Sequence, residues 1–258
     1  KGQNWELPSY NWEKMEETGF DWWKKRFQQM SNYFDTFRID HILGFFRIWQ
    51  IPIEQEEGIM GYLNPSVPIH IDEFYQKGIY FDYNRFCLPY ITDSVIWETF
   101  GDDANWVKIN CIDIIDGWIL RLKPICNTQK KVLEMFNKGL ISEKIKWGLF
   151  DLISNVLFFE AKNSNGTMFY PRYGMQTLST FRHLDFDAQR KIEELYVDYF
   201  YRRQDSFWKY SALKKLPAIK RSTNMLVCGE DLGMMADCVT SVMNQLGILS
   251  LEIQRAPK

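Results

Sequence analysis

The sequence predicts an α/β fold, on three observations. A helix-like stretch runs into a short strand, Phe37 to His41, whose exposed face ends on a carboxylate, Asp40. Near the other end an apolar run from Met225 also closes on a carboxylate, Glu230, and is followed by a helix pattern and a further apolar run. Strand, helix, strand is the parallel crossover unit, right-handed by default. Between these two regions, from about 54 to 185, no β/α alternation is visible. Carboxylates at the C-terminal ends of successive parallel strands are the (β/α)8 arrangement. The expected fold is therefore a partial (β/α)8 TIM barrel with a large, mainly helical or irregular insertion between two barrel strands. The expected segments are 1–53 (aromatic loop and first strand), 54–185 (insertion) and 186–258 (second strand).

Each element has a local reason. Gly2 and Pro8 mark residues 1 to 13 as a loop, in which Gln3, Trp5 and Tyr10 are free to face outward. A loop with exposed aromatic rings suits binding better than core packing. Asp21 reads as a helix N-cap, and Trp23, Phe27, Met30 and Phe34 recur at helical spacing, so a helix is expected up to Thr36 with almost no loop before the strand. In that strand the period of two puts Phe37 and Ile39 on one face and Arg38 and Asp40 on the other. Within the insertion, helices are expected over Thr128–Asn137, with Gly139 past its end, and over Ser142–Ile153. Phe169 to Tyr173 reads as an aromatic loop, and Asp187 to about Arg203 as an amphipathic helix on Ile192, Leu195, Tyr196 and Tyr199. A helix from Asp205 to Leu216 should stop near Pro217. Ala236 to Leu246 reads as a helix with Gly247 as its C-terminal cap, and Ile248 to Ile253 as a buried strand.

The bulk numbers exclude several classes. A hydrophobic content of 46% and a charged content of 25% describe an ordinary globular protein. A net charge of −2 gives no reason to expect nucleic acid or an anionic membrane as partner. No apolar run reaches membrane-spanning length. Five cysteines without a Cys-x-x-Cys pair fit a reducing compartment, so a cytoplasmic location is expected. The chain starts at Lys1 without a Met, and is expected to be an internal piece of something longer. The aromatic content of 16%, with 10 Trp, serves either a core or exposed platforms against sugars or bases. There is no Gly-x-Gly-x-x-Gly, phosphate loop, His-Glu-x-x-His or Gly-x-Ser-x-Gly. His41, His70 and His183 stand at no metal-ligand spacing, and no metal or cofactor is expected; His70 and His183 read as surface or loop residues.

Two strand-end carboxylates are the minimum equipment for glycosidic bond chemistry, one as nucleophile and the other as proton donor and acceptor. Asp40 beside Arg38 suits the ionised nucleophile. Glu230 follows a largely apolar strand, where partial desolvation would favour the protonated form of a general acid. The residues alone leave alternatives open. Arg38 and Asp40 equally describe a structural pair closing a sheet. Glu230 and Asp231 equally describe an acidic turn at a helix N-terminus. His41 could bond a sugar hydroxyl or close its strand.

Three motifs occur in order: Gly2-Gln3-x-Trp5-x-x-Pro8-x-Tyr10-x-Trp12, then Arg38-Ile39-Asp40-His41-x-x-Gly44-Phe45, then Gly229-Glu230-Asp231-Leu232-Gly233. This series resembles the 4-α-glucanotransferases, the amylomaltase or disproportionating-enzyme group of glycoside hydrolase family 77. The 190 positions between Asp40 and Glu230 depart from the short bacterial amylomaltases and resemble the insertion-bearing plant and protist cytosolic type. Phe169-Tyr170-Pro171-Arg172, Tyr196-x-x-Tyr199-x-Tyr201-x-Arg203, Ala212-Leu213-x-x-Leu216-Pro217 and Ile253-Gln254-Arg255-x-Pro257 are similar to that subgroup, so the resemblance covers nearly the whole chain.

The resemblance implies Asp40 as nucleophile and Glu230 as general acid/base. It implies Arg38 and His41 at the donor sugar, Gln3 and Trp5 on the acceptor-side loop, and Tyr10 near the sugar path. The implied reaction is retaining transfer of a glucosyl or α-1,4-glucanosyl unit from maltose or a maltooligosaccharide to an acceptor such as glycogen, with those α-glucans as the only implied partners. An α-amylase-like hydrolase and a non-catalytic glucan-binding scaffold are the alternatives. The family's third carboxylate has no match before Lys258, so the chain is expected to be a fragment of a catalytic domain, inactive alone, with carbohydrate-binding modules upstream. Oligomeric state is not legible, a homodimer being one candidate.

Overall fold

The computed structural model describes residues 4–252. Gln3 and the Ile253-Gln254-Arg255 motif lie outside the described residues. The chain is mixed α/β and divides into two compact units, one of Lys1–Glu6, Ile51–Tyr62 and Pro68–Tyr199, the other of Leu7–Gln50, Leu63–Val67 and Phe200–Lys258.

The second unit carries a parallel sheet. Helix α1 (Trp12–Glu17) opens it, where the sequence reading had a loop up to residue 13. The signal is Asn11, whose side chain accepts from the Lys14 N–H at 3.0 Å as an N-cap. Helix α2 (Asp21–Met30) follows Phe20, which takes the left-handed conformation at φ 62°. Asp21 is therefore not the cap; it stands in the first turn, paired with Lys25 at 2.6 Å. Trp23 and Phe27 are buried as expected, but the helix ends at Met30 and leaves Phe34 57% exposed. Ser31 takes part in that ending, its hydroxyl donating to the Gln28 carbonyl at 2.7 Å. The chain then crosses Ser31–Asp35 into strand β1 (Thr36–Ile39), so the helix does not run directly into the strand.

At the other end lie helix α3 (Asp205–Lys220), strand β2 (Leu226–Gly229), helix α4 (Asp237–Leu246) and strand β3 (Leu249–Ser250). The strands form one parallel sheet in the order β1-β2-β3. Helix α3 runs through Pro217 instead of stopping before it. Pro217 sits in the last turn and lacks the N–H that would bond the Leu213 carbonyl, while its own carbonyl accepts from the Arg221 N–H and Nε, both at 3.1 Å. Strand β3 is shorter and more exposed than expected. Ile248 is buried, but Leu249 at the sheet's outer edge is 50% exposed.

Helix α3 also complements α4 at both ends. Asp205 accepts from the Cys238 N–H at 2.8 Å in the first turn of α4, and Lys220 donates to the carbonyls of Leu246 and Gly247 past its last turn. Each charge opposes the partial charge of the helix end that it meets. Asp205 in turn adds to burial in holding the Cys238 thiol up at about 12, burial being the larger cause.

Lys215 of α3 is 4% exposed and its ammonium lies 4.7 Å from the centre of the Trp12 ring. Burial pulls its pKa down from 10.5 to about 8, against a smaller opposing pull from Glu16. A depression of this size makes charging the amine harder by about 3 kcal/mol. Below pH 8 the folded protein carries that cost in full. It fades as pH rises from about 8 to 10.5, where the unfolded chain also loses the proton. Lys215→Met is therefore expected to stabilise the protein at pH 7 by about 1–3 kcal/mol, with the gain gone above about pH 10.5. Urea titrations across that range measure it.

The first unit holds a three-stranded antiparallel sheet in which Met168–Pro171 pairs with both Ile69–His70 and Phe158–Glu160. Phe169 to Tyr173 thus begins as a strand and not as the expected loop, with Phe169 and Pro171 buried and Met168 exposed in alternation. The helices over Gln129–Asn137 and Glu143–Ile153 form as expected, capped by the side chains of Thr128 and Ser142. Phe186–Tyr201 buries Ile192, Leu195, Tyr196 and Tyr199, the face that its periodicity indicated. Helices over Asp93–Phe100 and Ala104–Cys111 and a hairpin of Ile112–Ile115 with Ile119–Leu122 were not foreseen. The hairpin signal is Asp116-Gly117, both at positive φ (51° and 79°), the dipeptide that closes such turns. His70 caps the helix Ile71–Gln76 in a reciprocal box with Glu73, and His183 meets the Tyr90 hydroxyl at 3.3 Å. No helix among the described residues is long and apolar enough to cross a membrane.

Candidate active site

In β1 the pleat does what the sequence requires. Phe37 and Ile39 are each 7% exposed, while Arg38 and Asp40 stand out to solvent on the other face. The Arg38 guanidinium donates to the Asp40 carboxylate. Phe37 stacks over Phe27 with ring centres 4.4 Å apart, so the aromatic layer under α2 fixes the strand that carries the acid.

The register of β1 against β2 pairs Arg38 with Cys228 and Ile39 with Gly229. Asp40 and Glu230 are the next positions on each strand, so the two carboxylates emerge side by side at the C-terminal end of adjacent parallel strands. The ladder continues past the last paired residues, because the Glu230 N–H donates to the Ile39 carbonyl at 2.8 Å. The turn after β1 then closes over Glu230. His41 takes the left-handed conformation (φ 48°) and turns its N–H onto Glu230 Oε2 at 2.8 Å, and the Ile42 N–H donates to the Glu230 carbonyl at 3.0 Å. Leu232 N–H reaches the other oxygen, Oε1, at 3.2 Å. The acid is held by main-chain donors from both sides. A left-handed non-glycine residue costs about 1 kcal/mol or more, and at His41 that conformation is what aims the donor.

Asp231 has the opposite fate to its neighbour. It is 3% exposed and accepts from Ser250 Oγ at 2.6 Å and from the Leu251 N–H at 3.0 Å. Its carboxylate ties the end of β2 to the end of β3. The loop beyond is anchored by Arg47, 8% exposed, which donates to the Met234 carbonyl and lies 5.3 Å from the Trp208 ring centre. Burial holds the Arg47 pKa below its usual value. Sequence reading took Asp231 as part of an acidic turn beside Glu230 and passed over Arg47; the signal was their position, one step after a candidate acid and just after the strand turn.

Gly229, quoted above only as the first residue of a motif, has a packing role that the sequence reading did not assign. A Cβ there would lie 2.6 Å from Ile42 Cδ1 and 3.1 Å from Met243 Cε, both in buried side chains. Gly229→Ala is expected to cost about 1–3 kcal/mol through overpacking, and chemical denaturation reads it directly. Because Gly229 directly precedes Glu230, activity should fall more than stability alone explains.

Tyr10, 47% exposed, lies on the rim of an aromatic cluster, with ring centres 5.3, 6.0 and 5.2 Å from those of Trp12, Trp22 and Trp23. Trp5 is 73% exposed and belongs to the first unit, whereas Arg38, Asp40, His41 and Glu230 share the second. Among the described residues no group of three or more His, Cys, Asp or Glu could hold a metal ion.

The class of protein comes from sequence comparison. The family model described as 4-alpha-glucanotransferase, of glycoside hydrolase family 77, matches residues 1–258, and the chain belongs to that family. It is 38% identical to the rice (Oryza sativa subsp. japonica) 4-alpha-glucanotransferase DPE2 over 99% of this chain and 28% of the relative. The chloroplastic/amyloplastic 4-alpha-glucanotransferase of Solanum tuberosum is 47% identical over 26% of this chain and 12% of its own length. The 4-alpha-glucanotransferase of Aquifex aeolicus is 37% identical over 38% of the chain and 21% of its own length. The chain thus spans little more than a quarter of the rice relative. No solved structure matches it significantly.

Proposed function

We propose that this chain supplies the nucleophile and the acid/base of a retaining 4-α-glucanotransferase. The observation that carries the reading is the β1–β2 register, which makes Asp40 and Glu230 neighbours on one sheet edge. Carboxylates carried on adjacent strands can approach to the roughly 5–5.5 Å that retaining enzymes require. Asp40 attacks the anomeric carbon of an α-1,4-glucoside as the bond to the leaving oxygen breaks and Glu230 gives that oxygen its proton. An acceptor sugar hydroxyl then attacks the glycosyl ester, Glu230 takes the hydroxyl proton, and Asp40 leaves as carboxylate. Arg38 orients Asp40, and His41, fixed at the strand end, faces the donor sugar. Gln3 and Trp5 serve the acceptor side, and Tyr10 lies near the sugar path.

On this reading the parallel sheet is one part of a (β/α)8 barrel, residues 54–185 are an insertion between two barrel strands, and a third carboxylate comes from a later strand. The substrates are α-glucans: maltose or maltooligosaccharide as donor and a glycogen-like polysaccharide as acceptor. The relatives' names support this substrate class. A fluorinated glucosyl donor that traps the intermediate in the full-length protein tests it. The expected result is an ester mapped to Asp40. An unlabelled Asp40 overturns the nucleophile assignment, and reducing ends that rise steadily from maltose without acceptor would favour hydrolysis over transfer.

A further inference from the structure

The first unit contains a cavity of about 700 Å³ between the helix Asp93–Phe100, the C-terminal end of the helix Glu143–Ile153 and the chain that follows strand Met168–Pro171. Its walls are fixed by hydrogen bonds. Asn155, 4% exposed, donates to the Tyr90 carbonyl at 2.9 Å and to Ser179 Oγ at 2.8 Å, and accepts from the Thr180 N–H at 3.1 Å. Arg172, 5% exposed, donates from Nη1 to the Tyr173 carbonyl at 2.8 Å. Such a site needs little reorganisation to receive a ligand.

The lining selects the chemistry of that ligand. Glu98 and Asp151 balance Arg172 and Arg182, and Arg182 reaches Glu98 at 3.4 Å. An anion or a cation would meet its own sign as often as the opposite one, so the cavity favours an uncharged molecule. Ile59, Val95, Leu152 and Leu178 add apolar surface, and the Tyr173 ring, 39% exposed, adds an aromatic face. The hydroxyls of Thr99 and Thr177 donate to the backbone carbonyls of Val95 at 2.7 Å and Gly174 at 3.2 Å, which turns their oxygens into oriented acceptors. Apolar faces beside donors and acceptors, without net charge, match a pyranose ring, whose C–H faces are apolar and whose edge carries hydroxyls. The volume is within the roughly 300–1,000 Å³ of ligand pockets.

We propose that this cavity is an accessory sugar site that holds a glucosyl segment of an α-glucan. It is formed wholly by the first unit, whereas Asp40 and Glu230 belong to the second. The identity of the sugar rests on the glucanotransferase reading; the site itself does not. Bound sugar holds the walls closed, so amide exchange through local opening slows by the factor 1 + [L]/Kd.

Hydrogen exchange of the full-length protein with and without maltotetraose tests this. Exchange over residues 172–182 should slow about tenfold when the sugar is at ten times its Kd. Tyr173→Ala should remove that protection and Tyr173→Phe, which keeps the ring, should retain it. Protection over 38–42 with none over 172–182 overturns the accessory site and leaves the catalytic reading standing. Protection over 172–182 with none over 38–42 supports the accessory site and counts against the catalytic one. Equal protection of 172–182 by adenosine, an uncharged ligand that is not a glucan, overturns the sugar assignment.

Discussion

On the proposed function, Asp40→Asn is expected to lower glucanosyl transfer by the full-length protein by about 10⁴-fold or more, because Asp40 is the group that forms the glycosyl ester. The substitution keeps the shape and removes the charge. The carboxylate is 77% exposed and accepts from the Arg38 guanidinium on the same strand face, so folding should be little affected. An exposed pair of this kind is worth about 0–1 kcal/mol, and the melting temperature should move accordingly little. The measurement is initial-rate transfer from maltose to glycogen, with a thermal melt beside it. Transfer that survives with the melt unchanged would leave Asp40 as a structural residue.

Glu230→Gln separates the two chemical steps. With maltose as donor, transfer should fall by about 10²–10⁴-fold, since the leaving sugar departs unprotonated. With α-glucosyl fluoride, whose leaving group needs no proton, the ester on Asp40 should still form and then accumulate, because no base activates the acceptor. Unlike the Asp40 change, this one should also cost stability. Glu230 accepts from the N–H groups of His41 and Leu232 on separate oxygens. A glutamine presents one oxygen and one amide N–H, so one main-chain donor loses its partner to solvent, a loss of about 0.5–1.5 kcal/mol at this exposed site. Intact-mass measurement of the trapped protein reads the ester, and a denaturation curve reads the loss. If the fluoride is as poor a donor as maltose, Glu230 is not the acid.

Much of the second unit was legible because its signals are local. Alternation in Phe37–Asp40 gave the buried and exposed faces of β1, and the spacing of Val239, Val242 and Met243 with Gly247 gave α4 and its end, Gly247 standing at φ 59°. Local signals misled where a competing contact decided the outcome. Phe34 continues the helical spacing of α2, yet the helix ends at Met30, with the Ser31 hydroxyl on the Gln28 carbonyl, and Phe34 is left outside. Pro217 is a helix breaker by rule, yet α3 continues through it to Lys220 with that one N–H missing. Phe169 to Tyr173 reads as an aromatic loop because its strand identity depends on partners outside the stretch, Ile69 far off in the chain and Phe158 nearer by.

The sequence by itself determined that two carboxylates end two short strands, that an Arg shares the first one's face, and, through motifs spread over nearly the whole chain, which family they belong to. Only the tertiary structure decided that those strands are neighbours, in a register that pairs Ile39 with Gly229. It alone distinguished Glu230, held by main-chain N–H groups at the sheet edge, from Asp231, buried against Ser250 and Leu251. The physical reason is separation. Side-chain alternation and capping act within a few residues, whereas strand pairing joins residues as distant as Ile39 and Gly229 and leaves no periodic trace in the chain.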